Sequence, residues 1–481
     1  MVKRILLVLL GTLVAAAALL LVVKDKIMLG AEAYLYGYPL VMMETTRVHS
    51  GQFIGPENQL RWVRQFPDAS FKDVVRPNVD TLYTTAFISM KAGPWVFEMP
   101  ANTERYELMP FMDAWTNVFA SPGTRTSGTA AATYLLVGPQ WQGEVPQGMR
   151  LIKSPTDMVW LIGRTQTNGV NDYATVHRLQ DRLQLKKFNA SSKVERTTAI
   201  DAWQRSTAPS VPPIVQMRNM RTSEFFERLM ALMVDNPPHA DDAPMRQRLA
   251  DVQLQPGQPV NMNRLDSICF AIGRWLADAK VRKVLSVKST DGTWATPPLN
   301  LGAYGTDYNT RAAVAMVGLG ANLPQDALYP NTSVDHQGKT LRGDQRYRLH
   351  FNAHQLPPVK AFWSITAYGE DDFLIENPLQ RYALGDRDPL SFNADGSLDI
   401  WIQAEEPGTA AQRSNWLPVK DPAPFVLNAR LYWPKDGALQ GADGLPQLPV
   451  GGPRRDRPPA HRALPAGSGH LQGAVALDRK S

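Results

Sequence analysis

Thr81-Leu82-Tyr83-Thr84-Thr85-Ala86-Phe87-Ile88 is a run of β-branched, aromatic and aliphatic residues with no glycine or proline inside it. Such a run reads as a strand. Three more follow at close spacing: Trp95-Val96-Phe97-Glu98-Met99, Ala132-Thr133-Tyr134-Leu135-Leu136-Val137, and Val159-Trp160-Leu161-Ile162-Gly163-Arg164. Gly138-Pro139 stops the third. Short runs cut by Gly and Pro argue for an antiparallel sandwich rather than a βαβ sheet, and the expected β domain is 53–170.

Beyond it the texture turns helical over 171–285. Asp172 to Leu185 is one candidate helix, Thr222 to Met230 a second with capping-type residues at its start, and Arg264 to Val284 the longest. Strand patterns return over 286–450: Tyr347–Phe351 alternates, Ala361–Tyr368 reads as a buried strand, Asn393–Ser397 is a turn before Leu398–Ile402, and Ala429–Trp433 is stopped by Pro434. Residues 451–481 are rich in Pro, Gly and Arg with few apolar anchors, and are expected to be a disordered basic tail. The fold class is thus mainly β with a helical middle.

On the N-terminal side, 27–52 reads as a helical lead-in that Pro39 interrupts or bends. Ahead of it, Lys3-Arg4 precedes nineteen uncharged residues, Ile5 to Val23, closed by Lys24-Asp25-Lys26. That run has the length of a bilayer's hydrocarbon core, and no small-residue cleavage site follows it. Residues 1–26 are read as a signal anchor. The protein is expected in the inner membrane, single-pass, with its globular body in the periplasm.

The formal charge of +6 sits at the two ends, +3 in residues 1–26 and +4 in 451–481, so the body between is close to neutral. A nucleic-acid footprint is not supported, although basic ends suit anionic lipid. The single cysteine, Cys269, allows no internal disulfide and lies in an apolar run that suits a buried, inert thiol. There is no G-x-S-x-G, Walker loop, paired C-x-x-C or H-E-x-x-H. Gly318-Leu319-Gly320 lacks the third glycine of a dinucleotide fingerprint. His336, His350 and His354 have no metal-site spacing, so no metal is expected, and the sequence names no cofactor and no oligomeric state.

Several dense motifs carry a resemblance. They are Arg76-Pro77-Asn78-Val79-Asp80-Thr81-Leu82-Tyr83, Arg105-Tyr106, Asp113-Ala114-Trp115-Thr116-Asn117, Gly123-Thr124-Arg125-Thr126 and Ile162-Gly163-Arg164-Thr165 in the first half. In the second half they are Ala321-Asn322 with Asp326–Pro330, Leu356-Pro357-Pro358 with Phe362-Trp363-Ser364, Glu376-Asn377-Pro378 with Arg381-Tyr382, Asn415–Pro418 and Arg430–Pro434. Together they resemble a bacterial family pairing an N-terminal and a C-terminal domain of unknown function, DUF1254 and DUF1214. The resemblance implies an immunoglobulin-like β-sandwich, a helical insert and a C-terminal jelly-roll sandwich. It brings no established reaction, and the label of carboxylic ester hydrolase that some members carry finds no serine motif here.

Two polar clusters are the candidate chemistry. Arg76, Asn78, Asp80 and Tyr83 form the first: on a strand Asn78 and Asp80 would share a face, while a turn tied to its own backbone, with Arg76 pairing Asp80, is the plain alternative. Tyr106, Asp113, Trp115 and Asn117 form the second, a small-polar-ligand wall or a hydrogen-bonded strand corner. If Asp80 and Asp113 face each other they make a two-carboxylate acid–base pair. Arg125 and Arg164 would hold an anionic group or pair with acidic residues. Asn377, Arg381, Trp416 and Arg430 read as corner packing, or as one side of a pocket between the β domains. An envelope enzyme of the hydrolase kind, acting on a small polar or carbonyl-containing substrate, and a non-catalytic ligand-binding or envelope-structural protein are the two readings.

Overall fold

In the computed structural model, which describes residues 2–53, 55–72, 75–188, 195–196, 200–202, 211–285, 293–353, 355–439, 445 and 450–451, Thr81–Ser89 is a strand. Its whole length pairs antiparallel with Met158–Gln166, from Thr81 opposite Gln166 to Ser89 opposite Met158. Around this pair one sheet gathers Arg61–Val63, Phe111–Asp113 and Val118–Ala120. A second sheet holds Trp95–Met99 between Ala132–Val137 and Gln184–Lys187. One apolar cluster is shared by both sheets: Ala86, Ile88, Val159 and Leu161 from the first meet Phe97, Tyr134, Leu136 and Leu185 from the second. Pairing is antiparallel except where Ala132–Val137 runs parallel to Met149–Lys153 and Arg61–Val63 to Ile200–Ala202.

The expected helix from Asp172 to Leu185 ends at Gln180. Leu183 and Leu185 are buried while Gln184 and Lys186 are half-exposed. That period of two belongs to a strand, and Gln184–Lys187 extends the second sheet.

The N-terminal helix runs from Val2 to Phe53 and carries Pro39 inside it, so the helix is not interrupted there. Tyr34, Tyr36, Leu40, Val41 and Met43 on this helix are buried, and the helices Thr222–Leu232, Arg264–Leu285 and Tyr308–Val317 pack around it. Two glycines let it cross the Arg264–Leu285 helix closely: a Cβ on Gly30 would lie 2.7 Å from Phe270 Cα, and one on Gly273 would lie 2.5 Å from the Ala31 nitrogen. Cys269 is buried at the same crossing. The helix Tyr308–Val317 falls within the stretch expected to be β. Asp307 caps it by accepting from the Thr310 amide, and Ala312, Ala313 and Ala315 bury a small face against the N-terminal helix.

The C-terminal part is again two sheets about one apolar cluster. Phe425–Pro434 and Val359–Gly369 are the paired long strands of one, and Arg346–Phe351 with Leu398–Gln403 are the centre of the other. Trp363, Ile365, Leu427 and Leu431 pack on Leu349, Phe351, Ile400 and Ile402. A smaller apolar cluster, with Tyr106 and Leu108 from one half and Ala327, Phe362 and Tyr432 from the other, joins the N-terminal and C-terminal β regions.

Among the described residues no helix is long and apolar enough to cross a membrane. Of the expected anchor, residue 1 and the side chains of residues 2–18 lie outside what is described, as does the expected tail from 452 onward. Leu19, Leu20, Leu21 and Val22, at the end of the apolar run, are exposed.

Candidate functional site

Asp80 lies just ahead of Thr81, where the chain turns into the strand. Asn78 makes that turn: its side-chain oxygen accepts from the amides of Asp80 (2.6 Å) and Thr81 (3.1 Å). The shared-face geometry expected of Asn78 and Asp80 on a strand is therefore absent, and the backbone-tied turn is present. Arg76 does not pair with Asp80. It reaches Asp372 at 2.9 Å, across the boundary to the C-terminal sheets.

Every side-chain oxygen of Asp80 is engaged from the C-terminal half. Ser364 Oγ donates to Oδ2 at 2.7 Å, Arg387 donates to Oδ1, and Arg430 Nη1 stands 3.9 Å from Oδ2. Around them Asn78 donates to the Tyr432 hydroxyl (2.8 Å), Arg430 to the Tyr368 hydroxyl (2.7 Å), and Tyr368 to the Pro77 carbonyl (2.8 Å). Arg125 forms a two-toothed pair with Asp326 (2.6 and 3.0 Å), and the Tyr106 hydroxyl donates to the Asp326 carbonyl (3.2 Å). Arg76, Asn78, Asp80, Tyr83, Tyr106, Arg125 and Arg164 thus meet along one seam between the two β regions.

Arg164 differs from the other seam arginines. It is buried, and among the described residues no carboxylate lies within ion-pair distance of it. Its guanidinium donates to neutral oxygens, those of Ile162 (3.0 Å), Gly320 (2.8 Å) and the Asn322 side chain, and lies over the Tyr83 ring at 5.1 Å. Its Nε has no hydrogen-bond partner among the described residues, and neither do Arg430 Nη1 and Thr366 Oγ1. Asn322 in turn donates to the Tyr329 hydroxyl (2.7 Å), and Arg430 lies 6.0 Å from the Tyr329 ring. Burial pushes the Tyr329 and Tyr432 hydroxyls up from their ordinary pKa, so these rings stay neutral and offset no positive charge. Tyr83 and Tyr329 are partly exposed, while Arg164 and Arg430 are buried. Gly320 (φ +89°) takes a left-handed conformation as it presents its carbonyl to Arg164, which accounts for the glycine that resembled a nucleotide fingerprint.

Asp113 and Asp80 do not meet. Asp113 is opposite Val159 at one end of the central strand, and Asp80 bonds Thr167 beyond the other end. At the usual strand rise that separation is about 26 Å, which removes the two-carboxylate pair. The strand ends at Asp113, so Trp115 and Asn117 do not continue an alternating face. Asp113 Oδ1 instead accepts from both the Trp115 and Asn117 amides (2.9 Å each), closing a corner in which Thr116 has φ +70°. Asp113 Oδ2 holds His239 Nε2 at 2.8 Å, with Asn117 Nδ2 3.1 Å from the same nitrogen. The Asp113 hydrogen bond raises the His239 pKa above its ordinary value, against the opposing effect of partial burial.

Sequence reasoning missed His239, Arg387 and Ser364 as partners of these carboxylates. His239 follows two prolines in a loop and Arg387 sits in a turn, and no local pattern flags either. Asn377 and Arg381 are corner packing, bonded to the carbonyls of Ile375, Arg413 and Trp416. Arg430 belongs to the seam. His350 pairs with Asp399 at 2.6 Å, and His354 lies outside the described residues. Among the described residues no group of three or more His, Cys, Asp or Glu side chains is arranged to hold a metal ion.

A protein-family model described as a protein of unknown function, DUF1254, matches residues 57–187, and a second, DUF1214, matches 326–436. The chain belongs to the family that pairs these two domains. No curated protein matches it. The crystal structure of the VPA0106 protein from Vibrio parahaemolyticus is similar in fold, with a TM-score of 0.67 and 23% identity, covering 89% of this chain and 100% of that one. A crystal structure of an uncharacterized protein from Burkholderia cenocepacia aligns with a TM-score of 0.41 and 11% identity over 89% of this chain and 94% of that one. The seam described above is the contact between DUF1254 and DUF1214. The Asp113–His239 corner lies where DUF1254 meets the helical middle.

Proposed function

We propose that this is a membrane-tethered envelope protein whose DUF1254–DUF1214 seam binds the acid group of a small polar molecule. The observation that carries the reading is Arg164, a buried guanidinium with no carboxylate partner among the described residues. Leaving a buried cation without a counter-ion is costly, and such a site is completed by an anionic ligand. The free Nε of Arg164 is the donor that remains for it. Asp80, with both oxygens engaged, acts as the anchor of the seam rather than as a base. The tether is supported by the run Ile5–Val23 with Lys3 and Arg4 before it, which suits a body in the periplasm, and by the exposed Leu19–Val22. We read the paired sheets of DUF1254 as an immunoglobulin-like sandwich and those of DUF1214 as a jelly roll, supported by the apolar cluster that each pair shares.

A hydrolase is the second reading, and one observation favours it. His239, donating Nε2–H to Asp113 and with its side chain 35% exposed, is built as an acid–base group. Ester turnover by the full chain that disappears in His239→Gln would carry that reading, and unchanged background hydrolysis in both would end it.

The binding reading is tested on the detergent-solubilised full chain by thermal unfolding with sodium lactate, succinate or benzoate, against chloride at equal ionic strength. At least one carboxylate raises the Tm saturably in the native protein and not in Arg164→Met. No carboxylate-specific rise in the native protein overturns it.

A further inference from the structure

The helix Arg264–Leu285 has two faces, and the body uses one of them. Cys269, Phe270, Gly273, Arg274 and Ala277 are buried toward the N-terminal helix and its neighbours. The other face carries Leu265, Ile268, Ile272, Trp275 and Leu276, which are 41%, 50%, 40%, 65% and 39% exposed. Ser267 and Ala271 are the other exposed positions between Leu265 and Leu276, so no charge interrupts this face. Leu265, Ile268, Ile272 and Trp275 follow one another by three, four and three residues. That is the spacing of a helix seam made to pack on another helix. Among the described residues nothing covers it.

With a large side chain counted at about 200 Å², the five residues leave roughly 450 Å² of apolar surface open, more than a monomeric protein usually shows without a use for it. Two copies meeting there would bury roughly 900 Å² from these side chains alone, close to the ~1,000 Å² that a specific interface clears. The direction of the helix says how the copies meet. It runs parallel to the N-terminal helix: Lys26 bonds Asp266, Gly30 lies against Phe270, and Ala31 lies against Gly273. Leu265 is thus level with the point where the N-terminal helix leaves the body, next to the exposed Leu19–Val22. With the tether proposed above, the stripe stands away from the bilayer beside its anchor instead of lying in lipid. Copies anchored in one membrane share one orientation, so a two-fold axis along the bilayer normal brings stripe to stripe. We propose that this face pairs with the same face of a second copy, as a parallel two-helix seam with Ile268 and Ile272 at its centre. Anchoring in a common plane raises the effective concentration, so an interface of this size suffices. The pairing stands on exposure and spacing; only its parallel direction rests on the tether.

Disulfide trapping of the full chain reconstituted in phosphatidylcholine vesicles, with copper–phenanthroline as oxidant, tests this. Ile272→Cys gives a covalent dimer as its main product. The native chain, whose Cys269 is buried, and Val170→Cys, 65% exposed on DUF1254, do not. Leu265→Cys, at the end of the stripe, is trapped as well, which an antiparallel pair would forbid. Adding Trp275→Asp to Ile272→Cys lowers the dimer yield at least about tenfold, the weight of an aromatic anchor. The Tm of the monomer stays as it was, because the Trp275 ring is largely outside the body. Trapping at Ile272→Cys no greater than at Val170→Cys overturns the proposal and leaves the face to lipid, to a different protein or to another segment of this chain. A dimer yield that survives Trp275→Asp overturns it as well. Flotation of the vesicles reads the tether separately: a chain that does not float with them removes the tether and the parallel direction, and trapping of the same variants in solution then decides the pairing.

Discussion

The two ends of the strand Met158–Gln166 treat buried charge in opposite ways. At the Gln166 end, DUF1254 and DUF1214 are locked together by a network in which Asp80 accepts from Ser364 and Arg387 while Arg430 stands by it, and one cation, Arg164, has no carboxylate within ion-pair distance among the described residues. At the Met158 end, Asp113 is satisfied by its own corner and by His239, and the nearby Arg311–Asp242 pair is neutral in sum but unbonded. The first arrangement holds domains together around one cation that no described carboxylate offsets. The second leaves polar atoms unbonded against an aromatic wall. Burial alone does not distinguish a structural ion network from a binding site; the account of which donors and acceptors are spent does.

The largest effect that would sharpen this contrast is Asp80→Asn. It strands Arg387 and Arg430 in the seam, and loss of one partner of a buried ion network costs about 3–5 kcal/mol. Denaturant unfolding would read this as a lowered midpoint. A loss under about 1 kcal/mol would break the claim that Asp80 anchors the seam. Next comes Gly273→Leu in the helical middle. Its Cβ would meet the backbone of the N-terminal helix at Ile27 and Ala31, and overpacking of this kind costs about 1–3 kcal/mol. An unchanged Tm would mean that the two helices do not cross at Gly30 and Gly273.

The two ends also separate by pH. Burial raises Glu107, near the seam, from 4.5 to about 7. Between those values the folded state keeps a proton that the unfolded state has lost, so stability falls as pH rises from about 4.5 to about 7. Glu107→Gln removes that slope. His239, at the other end, is raised above 6.5 by Asp113, so its contribution is full below 6.5 and is lost as pH rises through its folded value. His239→Gln removes only this upper slope. Stability curves measured from pH 4 to 9 check both, and a wild-type curve that is flat from 4.5 to 7 would contradict the Glu107 assignment.

Much of the β architecture was legible because it is local. The runs Thr81–Ile88 and Ala361–Tyr368 declare strands by composition, and Arg264–Val284 declares a helix by period and length. Elements whose signal is tertiary were misread. Gln184–Lys187 is charged and short, and only its pairing with Trp95–Glu98 makes it a strand. The helix Tyr308–Val317 hides between glycines, and its Ala312 and Ala313 acquire meaning only against the N-terminal helix. Pro39 is accommodated within a helix whose length and packing outweigh one lost hydrogen bond.

For the sites, the polar motif residues could be picked out, but their partners could not. Asp80 finds Ser364 across 284 residues and Asp113 finds His239 across 126, separations that no spacing rule reaches. Arg311 gave no sign of its burial, since an arginine on a short helix reads as a solvated one.

The seam account is tested most directly by the affinity of the full chain for the carboxylate that stabilises it best, measured calorimetrically in the native protein, Arg164→Met and Arg311→Met. One-to-one binding that Arg164→Met weakens by more than about tenfold, while Arg311→Met leaves it unchanged, is the predicted result; a hydrogen bond from a charged, buried guanidinium is worth about that factor. Equal affinity in the native protein and Arg164→Met would contradict the account and return Arg164 to a purely structural place between the two domains.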